Sequence, residues 1–191
     1  MASDLIFVVY MGGCCGDLIT AAIDGRDCTF NHLQHRMHLP SSRERLKKTH
    51  LFANDDERDQ YVELMSQKYR SIPSHDLDYH LRRQHRFIAV TVDDVGTARW
   101  AAHRFQHSHR PEIWREFCQQ FGVKTLDNYA ELVLNYSKMI KTKTPDTIAL
   151  EDIRNGQAIV ALEKLLGIQF SKQTTNLYRN WMDLQNGKFI L

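Results

Sequence analysis

The chain has 191 residues, of which 42% are hydrophobic and 25% are charged. This is the length of one ordinary domain, and the hydrophobic share can form a sizeable core, which argues against a disordered chain. Its 25 Lys and Arg residues nearly balance 23 Asp and Glu residues, for a formal charge of +2. The composition therefore does not indicate a protein that coats nucleic acid by charge alone. We expect one domain over residues 1–191.

The four cysteines, at positions 14, 15, 28 and 118, favour a reducing compartment. Their spacing matches neither a disulfide framework nor a CxxC zinc pattern, and reduced thiols are typical of the cytoplasm. The apolar stretch from Leu5 to Met11 is far shorter than the roughly 20 residues that cross a bilayer. It also lacks the preceding basic region of a secretory signal. The sequence therefore predicts a cytoplasmic protein without a membrane span.

The first predicted element is a strand at residues 5–10, LIFVVY. A run of apolar and β-branched residues without polar alternation is typical of a strand buried on both faces. A glycine-rich turn at residues 12–17 follows, and helical spacing of apolar residues then predicts a helix over 18–24. The same order of strand, turn and helix recurs over residues 87–105.

The remaining elements are predicted from apolar spacing and capping residues. They are helices at 43–48, 55–70, 112–121, 127–139 and 152–166, the last closed by Gly167, a strand at 147–150, and a C-terminal helix that packs onto the domain through residues 178–182. Strands alternating with helices predict a doubly wound α/β domain. Such a domain binds ligands at the carboxyl ends of its strands.

The turn at residues 12–17, GGCCGD, is the first candidate site. Glycines let backbone N–H groups approach a phosphate, and the start of the following helix adds partial positive charge. The turn matches neither the Walker A pattern nor GxGxxG, and a tight turn that needs small residues explains it equally well. A cysteine at a helix start can also become nucleophilic, although the CX5R pattern of cysteine phosphatases is absent.

Four stretches in matching order resemble the PAPS-dependent sulfotransferases, whose donor is 3′-phosphoadenosine 5′-phosphosulfate. The stretch 5–24 is similar to the family's strand, phosphosulfate loop and helix, and 71–75 is similar to the segment that carries a catalytic histidine. The stretch 86–94 with its following helix resembles the second signature. The stretch 148–168 resembles the family's late segment of strand, Glu-Asp-Leu, helix and Leu-Gly-Ile.

This resemblance implies a three-layer, P-loop-like fold with a short parallel sheet flanked by helices. It implies sulfuryl transfer from PAPS to a hydroxyl acceptor, with His75 as the base. The backbone of Gly12, Gly13, Cys14, Cys15, Gly16 and Asp17 would hold the phosphosulfate, and Arg99 or Arg104 the remaining phosphate.

The chain also departs from the family pattern. The loop lacks the usual basic residue and hydroxyls, and the family's arginine and serine for the 3′-phosphate fall at Val92 and Trp100. An alternative is therefore a sulfotransferase-like fold without catalysis that binds protein or nucleic acid, and another is a different nucleotide or phosphate transferase.

The arginine-rich central segment would carry the binding alternative. It combines basic and aromatic side chains, which suits nucleotides and single-stranded nucleic acid. Helical spacing equally favours aromatic residues in the core and arginines in water. The segment contains Arg82, Arg83, Arg86, Arg99, Arg104, Arg110 and Arg115, with Trp100, Phe105 and Trp114.

The chain has ten histidines, but their spacing specifies no metal site. His103 and His107 stand four residues apart, which puts two imidazoles on one helix face, and His32, His35 and His38 recur every three residues. Neither group matches a zinc motif. We predict no metal.

Overall fold

Four short strands form one parallel sheet in a computed structural model that describes residues 5–24, 54–67, 69–108 and 111–188. The strands are β1 (Ile6–Val9), β2 (Ser71–Ser74), β3 (Phe87–Thr91) and β4 (Thr147–Ala149). Their order in the sheet is β2-β1-β3-β4. Because all neighbours run parallel, the four carboxyl ends lie at one edge.

Helices make up most of the remaining described chain. They are α1 (Gly16–Asp24), α2 (Asp55–Ser66), α3 (Leu77–Arg82), α4 (Val95–Ser108), α5 (Pro111–Phe121), α6 (Leu126–Lys141), α7 (Leu150–Arg154), α8 (Ala158–Leu166) and α9 (Lys172–Lys188). Side-chain caps begin several of them: for example, Asn54 accepts from the N–H of Glu57, Asp76 from that of Tyr79 and Thr125 from that of Asn128. Each cap satisfies an N–H that the first turn leaves without a partner.

Apolar side chains cover both faces of the sheet. Successive strand residues point to opposite faces, so Ile6 and Val8 join one buried cluster with α1 and α4, while Phe7 and Val9 join a second with α3. Every residue of β1 is buried, as its continuous apolar run predicts. The predicted α/β architecture, a parallel sheet flanked by helices, is confirmed.

The predicted single helix over 152–166 is wrong. The chain forms α7 and α8, with a break at residues 155–157 where Gly156 has a φ of 73°. That left-handed conformation cannot continue a right-handed helix, and glycine adopts it at little cost. The helix predicted over 55–70 ends at Ser66, and the one predicted at 43–48 lies outside the described residues.

The C-terminal helix packs as predicted. Tyr178 and Met182 of α9 are buried, and the Tyr178 hydroxyl donates to the carbonyl of Ile153 at 3.0 Å. Gly167, which follows α8, has a φ of 65° and forms the expected left-handed cap. Within the described ranges, no helix combines the length and apolar character needed to cross a bilayer.

Candidate functional site

The carboxyl edge of the sheet brings four connecting segments together. The strand order places β2 on one side of β1 and β3 on the other. In open parallel sheets, ligands bind at the strand ends where the chain changes direction in this way. The loop at residues 10–15 follows β1, His75 follows β2, and Asp93 follows β3. β4 leads directly into α7.

The loop after β1 is tightly folded and held by two helices. The N–H of Cys14 donates to the carbonyl of Met11 at 3.1 Å, which closes a turn. The Tyr129 hydroxyl on α6 donates to the carbonyl of Gly12 at 2.8 Å. Nη1 of Arg104 on α4 donates to the carbonyl of Gly13 at 3.3 Å. The loop is therefore anchored to both α4 and α6.

The loop glycines allow close packing against other parts of the chain. A Cβ atom at Gly12 would lie 2.5 Å from the Phe105 ring, and one at Gly16 would lie 1.9 Å from the Tyr10 ring. A Cβ atom at Gly13 would meet the backbone of α4. The space beside each of these Cα atoms is filled by protein, so packing itself requires glycine there. The interpretation as a tight turn of small residues therefore accounts for all three glycines.

The first turn of α1 still offers hydrogen-bond donors. The N–H groups of Leu18 and Ile19 both bind the carbonyl of Cys15, at 3.0 and 3.3 Å. Those of Gly16 and Asp17 meet no acceptor within the part of the chain that the structure describes. Such N–H groups and the helix dipole favour an anion. The carboxylate of Asp17, on the same turn, opposes one.

The two loop cysteines are not poised as nucleophiles. Both side chains are buried, and burial raises the pKa of the Cys15 thiol to about 12 and that of Cys14 further still. The positive charge of Arg104 offsets this effect only in part. Since the thiolate is the reactive form, these thiols are inert at neutral pH.

His75 lies beside the loop in a defined tautomer. Its Nδ1 bonds to the carbonyl oxygen of Tyr10, which can only accept, so Nδ1 carries the proton and Nε2 has the lone pair. The Tyr10 ring contacts the imidazole edge-on, with centroids 4.6 Å apart, and also packs against Gly16. Tyr10 therefore links His75 to the start of α1.

The structure places the two candidate phosphate-binding arginines differently. Arg104 is 6% exposed and lies against the loop, where its charge interacts with Cys15 and Asp17. Arg99 is exposed, and its Nε donates to Asp127 at 2.7 Å. Of the two, Arg104 is the one that lies against the loop.

The sequence reasoning missed Arg154 at this edge. Its guanidinium lies over the Trp100 ring, 4.7 Å from the centroid, and Nη1 donates to the hydroxyl of Thr97 at 3.3 Å. Arg154 follows β4 by five positions, and residues that follow a strand line the edge where ligands bind. That rule gives the one sequence signal for Arg154, its place shortly after the predicted strand at 147–150.

Glu151 ties the turns after β3 and β4 together. Its Oε1 accepts from the N–H groups of Asp93 and Asp94, at 2.9 and 3.1 Å. Burial, with the nearby carboxylate of Asp94, raises the pKa of Glu151. Asp94 in turn accepts from the N–H of Thr97 at 2.8 Å and caps α4. Both carboxyl groups are therefore committed to shaping this edge.

The arginines of the central segment mostly face acidic residues of the same chain. Trp100 and Phe105 are buried in the core, as the structural interpretation of the segment predicts. Four of the seven arginines form ion pairs, and Arg110 lies outside the described residues. The pairs are Arg82 with Asp55, Arg83 with Asp59, Arg99 with Asp127 and Arg115 with Glu112.

The histidine groups show no metal geometry where they are described. His103 and His107 stack with ring centroids 6.1 Å apart. A search of the described residues finds no set of three or more His, Cys, Asp or Glu side chains arranged for a metal ion. His32, His35 and His38 lie outside those residues.

Comparisons with known proteins found no family model that matches the chain, and no curated protein or solved structure that matches it. Function is therefore inferred from the groups at the carboxyl edge of the sheet.

Proposed function

We propose that the protein is a group transferase that binds an anionic nucleotide donor at the carboxyl edge of its sheet and uses His75 as the base. The resemblance to sulfotransferases makes PAPS the donor and a hydroxyl compound the acceptor. The hydrogen bond from His75 Nδ1 to the Tyr10 carbonyl carries the proposal, because it orients the imidazole beside the loop after β1 and makes Nε2 the basic nitrogen of the neutral ring.

The donor set at the loop suits an anion at one position. The N–H groups of Gly16 and Asp17, at the start of α1, meet no acceptor among the described residues, so we assign the anion contacts to them. These N–H groups and the charge of Arg104 supply the attraction that a lysine provides in a Walker A loop. PAPS, when bound there, supplies a sulfuryl group joined through oxygen to a phosphate leaving group.

The residues of the chain divide the chemistry between them. His75 Nε2 takes the proton from the acceptor hydroxyl as its oxygen bonds to sulfur. The N–H groups of α1 and the Arg104 charge stabilise the negative charge on the phosphate oxygen as the bridging S–O bond breaks. The products are a sulfate ester, 3′,5′-bisphosphoadenosine (PAP) and a proton on His75.

Binding is tested at Asp17, because glycine substitutions in the loop would also disturb its packing. Isothermal titration calorimetry measures the Kd of PAP, PAPS and ATP for the wild type and for Asp17→Asn. Removing the carboxylate beside the anion should tighten PAP binding about two- to fivefold. An unchanged or weaker affinity would place the nucleotide elsewhere. A wild-type protein that binds none of the three would contradict the proposed function.

The base is tested with His75→Asn, whose amide N–H still reaches toward the Tyr10 carbonyl but whose side chain has no basic nitrogen. Transfer of labelled sulfate from PAPS to a panel of phenols and sugars measures turnover. We expect kcat to fall at least about 100-fold while the Kd of PAP stays within about twofold. His75→Ala serves as the control that loses both the base and the hydrogen bond. Wild-type turnover in His75→Asn would remove His75 from the mechanism.

A further inference from the structure

Arg154, the last residue of α7, carries a positive charge at the sheet edge and forms no ion pair with a carboxylate of the described residues. Arg82 and Arg99, by contrast, donate to Asp55 and Asp127 at 3.0 and 2.7 Å. Arg154 is partly buried, and the groups it contacts, the side chains of Asn186, Thr97 and Trp100, are all neutral. A partly buried cation with neutral partners is costly, unless a ligand supplies the opposite charge.

The guanidinium of Arg154 is held in one orientation. Its Nη1 donates to Thr97 Oγ1 at 3.3 Å and its Nε to Asn186 Oδ1 at 3.4 Å. The amide of Asn186 donates back to the carbonyl of Arg154 at 2.9 Å, and the guanidinium lies over Trp100. Because the side chain is already held in one orientation, it loses less conformational entropy when a ligand binds.

Part of the same guanidinium remains open. Five N–H groups belong to an arginine side chain, and Thr97 and Asn186 accept from two of them. The other three meet no acceptor among the residues described, and none of the Arg154 nitrogens is both buried and unpartnered. Nη2, which has neither of these acceptors, is therefore open to water, and an incoming ligand can reach its two N–H groups as well.

Arg154 also lies near the candidate anion site. Its charge acts on the Cys15 thiol, at the start of α1, and partly offsets the rise in pKa that burial causes there. Thr97, its partner, stands in the first turn of α4, directly after β3. On the same helix as Arg154, Oε1 of Glu151 accepts from the N–H groups of Asp93 and Asp94.

We propose that Arg154 binds an oxyanion of the nucleotide, a phosphate or sulfate group, through the open side of its guanidinium fork. It would add a second positive charge to that of Arg104, from the helix that follows β4. Planar guanidinium groups match the spacing of two oxygens on such anions. This inference rests on the proposed function for the identity of the ligand as a nucleotide.

The test compares Arg154→Gln with Arg179→Gln. Arg179 is an exposed arginine of α9 whose Cγ lies 3.7 Å from where a Cβ of Gly156 would stand, so the control removes the same charge from the same neighbourhood. Calorimetry measures the Kd of PAP, 5′-AMP and inorganic phosphate. Arg154→Gln should weaken PAP binding at least about tenfold, and Arg179→Gln should change it less than about twofold. Arg154→Lys, which keeps the charge but not the fork, should fall between them.

The three ligands show which oxyanion Arg154 binds, and they distinguish failure of this inference from failure of the proposed function. If Arg154→Gln weakens the binding of PAP but not of 5′-AMP, Arg154 binds the 3′-phosphate. If it weakens the binding of both equally, Arg154 binds the 5′ group. Phosphate binding that depends on Arg154, without nucleotide binding, supports Arg154 and contradicts the proposed function. PAP binding that Arg154→Gln leaves within about twofold overturns Arg154 and leaves the proposed function intact. A wild type that binds none of the probes overturns both.

A measurement on the wild type covers the case in which the variants do not fold. Phenylglyoxal modifies accessible arginines, and mass spectrometry follows its rate at each site. PAP should slow modification of Arg154 several-fold and leave that of Arg179 unchanged. Equal rates with and without saturating PAP would overturn the assignment.

Discussion

At Gly13 the backbone has a φ of 83°, and a Cβ atom would stand 2.1 Å from the carbonyl oxygen of Ala101. Two separate penalties therefore oppose a side chain at this position. The left-handed conformation costs an L-residue about 1–2 kcal/mol, and the contact with Ala101 forces the backbone of the loop or of α4 to shift. Gly122 has a φ of 65° with no atom near its Cβ position, so only the first penalty applies there.

We expect Gly13→Ala to lower the free energy of unfolding by about 3 kcal/mol or more, and Gly122→Ala by about 1 kcal/mol. Urea denaturation of the two variants measures the difference, which isolates the cost of the steric contact. Equal losses would mean that the loop does not pack against α4 as closely as described. Loss of PAP binding in Gly13→Ala would say little about ligand contacts, since the fold itself is disturbed.

His75 shows which part of the site a sequence can predict. His75 stands out among ten histidines because residues 71–75 resemble the family segment that carries a catalytic histidine. Its tautomer depends on the carbonyl of Tyr10, which is 65 positions away in the chain. Spacing within one segment carries no information on that contact.

Among the elements, α6 holds the ends of two strands in place through side-chain hydrogen bonds. Its Tyr129 hydroxyl donates to Gly12 at 2.8 Å, and its Ser137 hydroxyl accepts from the buried N–H of Val92 at 2.9 Å. One helix therefore fixes the ends of both β1 and β3. Thr125 caps this helix, which places its first turn.

Tyr129→Phe removes only the hydroxyl that anchors the loop. We expect a loss of about 1 kcal/mol in stability and faster amide hydrogen exchange in residues 12–15. Tyr178→Phe is the matched control, because it removes a similar bond to a buried carbonyl, that of Ile153. It should cost a similar stability but leave exchange in the loop unchanged. Similar loop exchange in both variants would show that Tyr129 does not hold the loop.

Elements with a strong local pattern were predictable from the sequence, and those fixed by tertiary contacts were not. The apolar runs of β1 and β3 identify buried strands. β2 has a single large apolar residue, Ile72, and a proline, and it forms because it pairs with β1 as an edge strand, where proline is tolerated. The break between α7 and α8 depends on the left-handed backbone at Gly156. A glycine in the sequence does not by itself show whether a helix ends there or continues through it.

At the scale of the whole molecule, the carboxyl edge and the loop after β1 followed from the predicted alternation of strands and helices. Arg104 was a candidate by its place in the chain, and the structure puts it against the loop. Arg154 was not predicted, because the orientation of its side chain depends on contacts with Thr97 and Asn186 from two other helices. Contacts between distant segments therefore decide which charges gather at this edge.

The stability of the fold should depend on pH through a histidine pair at the opposite, second face of the core. His80 on α3 is 1% exposed, lies against Phe7 with ring centroids 4.3 Å apart, and its Nδ1 is 3.2 Å from that of His85. Its Nε2 is buried and meets no hydrogen-bond partner among the described residues. Burial and then the neighbouring His85 lower the pKa of His80 to about 3, against an opposing effect of Asp76. Burial also lowers the pKa of His85.

The free energy of unfolding falls as pH falls, because the unfolded chain binds the proton more readily than the folded protein does. Below about pH 6.5 the unfolded state protonates His80 whereas the folded state does not until near pH 3, so stability is complete above pH 6.5 and is lost as pH falls toward 3. Between pH 7.5 and 5.0 we expect His80 to account for a loss of up to about 2 kcal/mol, measured by urea denaturation at each pH.

His80→Gln separates this effect from the other titrating groups. The variant should be less stable than the wild type at pH 7.5, because glutamine fits the aromatic surroundings less well, but its loss between pH 7.5 and 5.0 should be smaller by the share due to His80. The window lies above the usual pKa values of Asp and Glu, so the difference between the two slopes reports mainly on the histidine. Parallel slopes would show that His80 is as easily protonated in the folded protein as in the unfolded chain, which its burial between α3 and the sheet argues against.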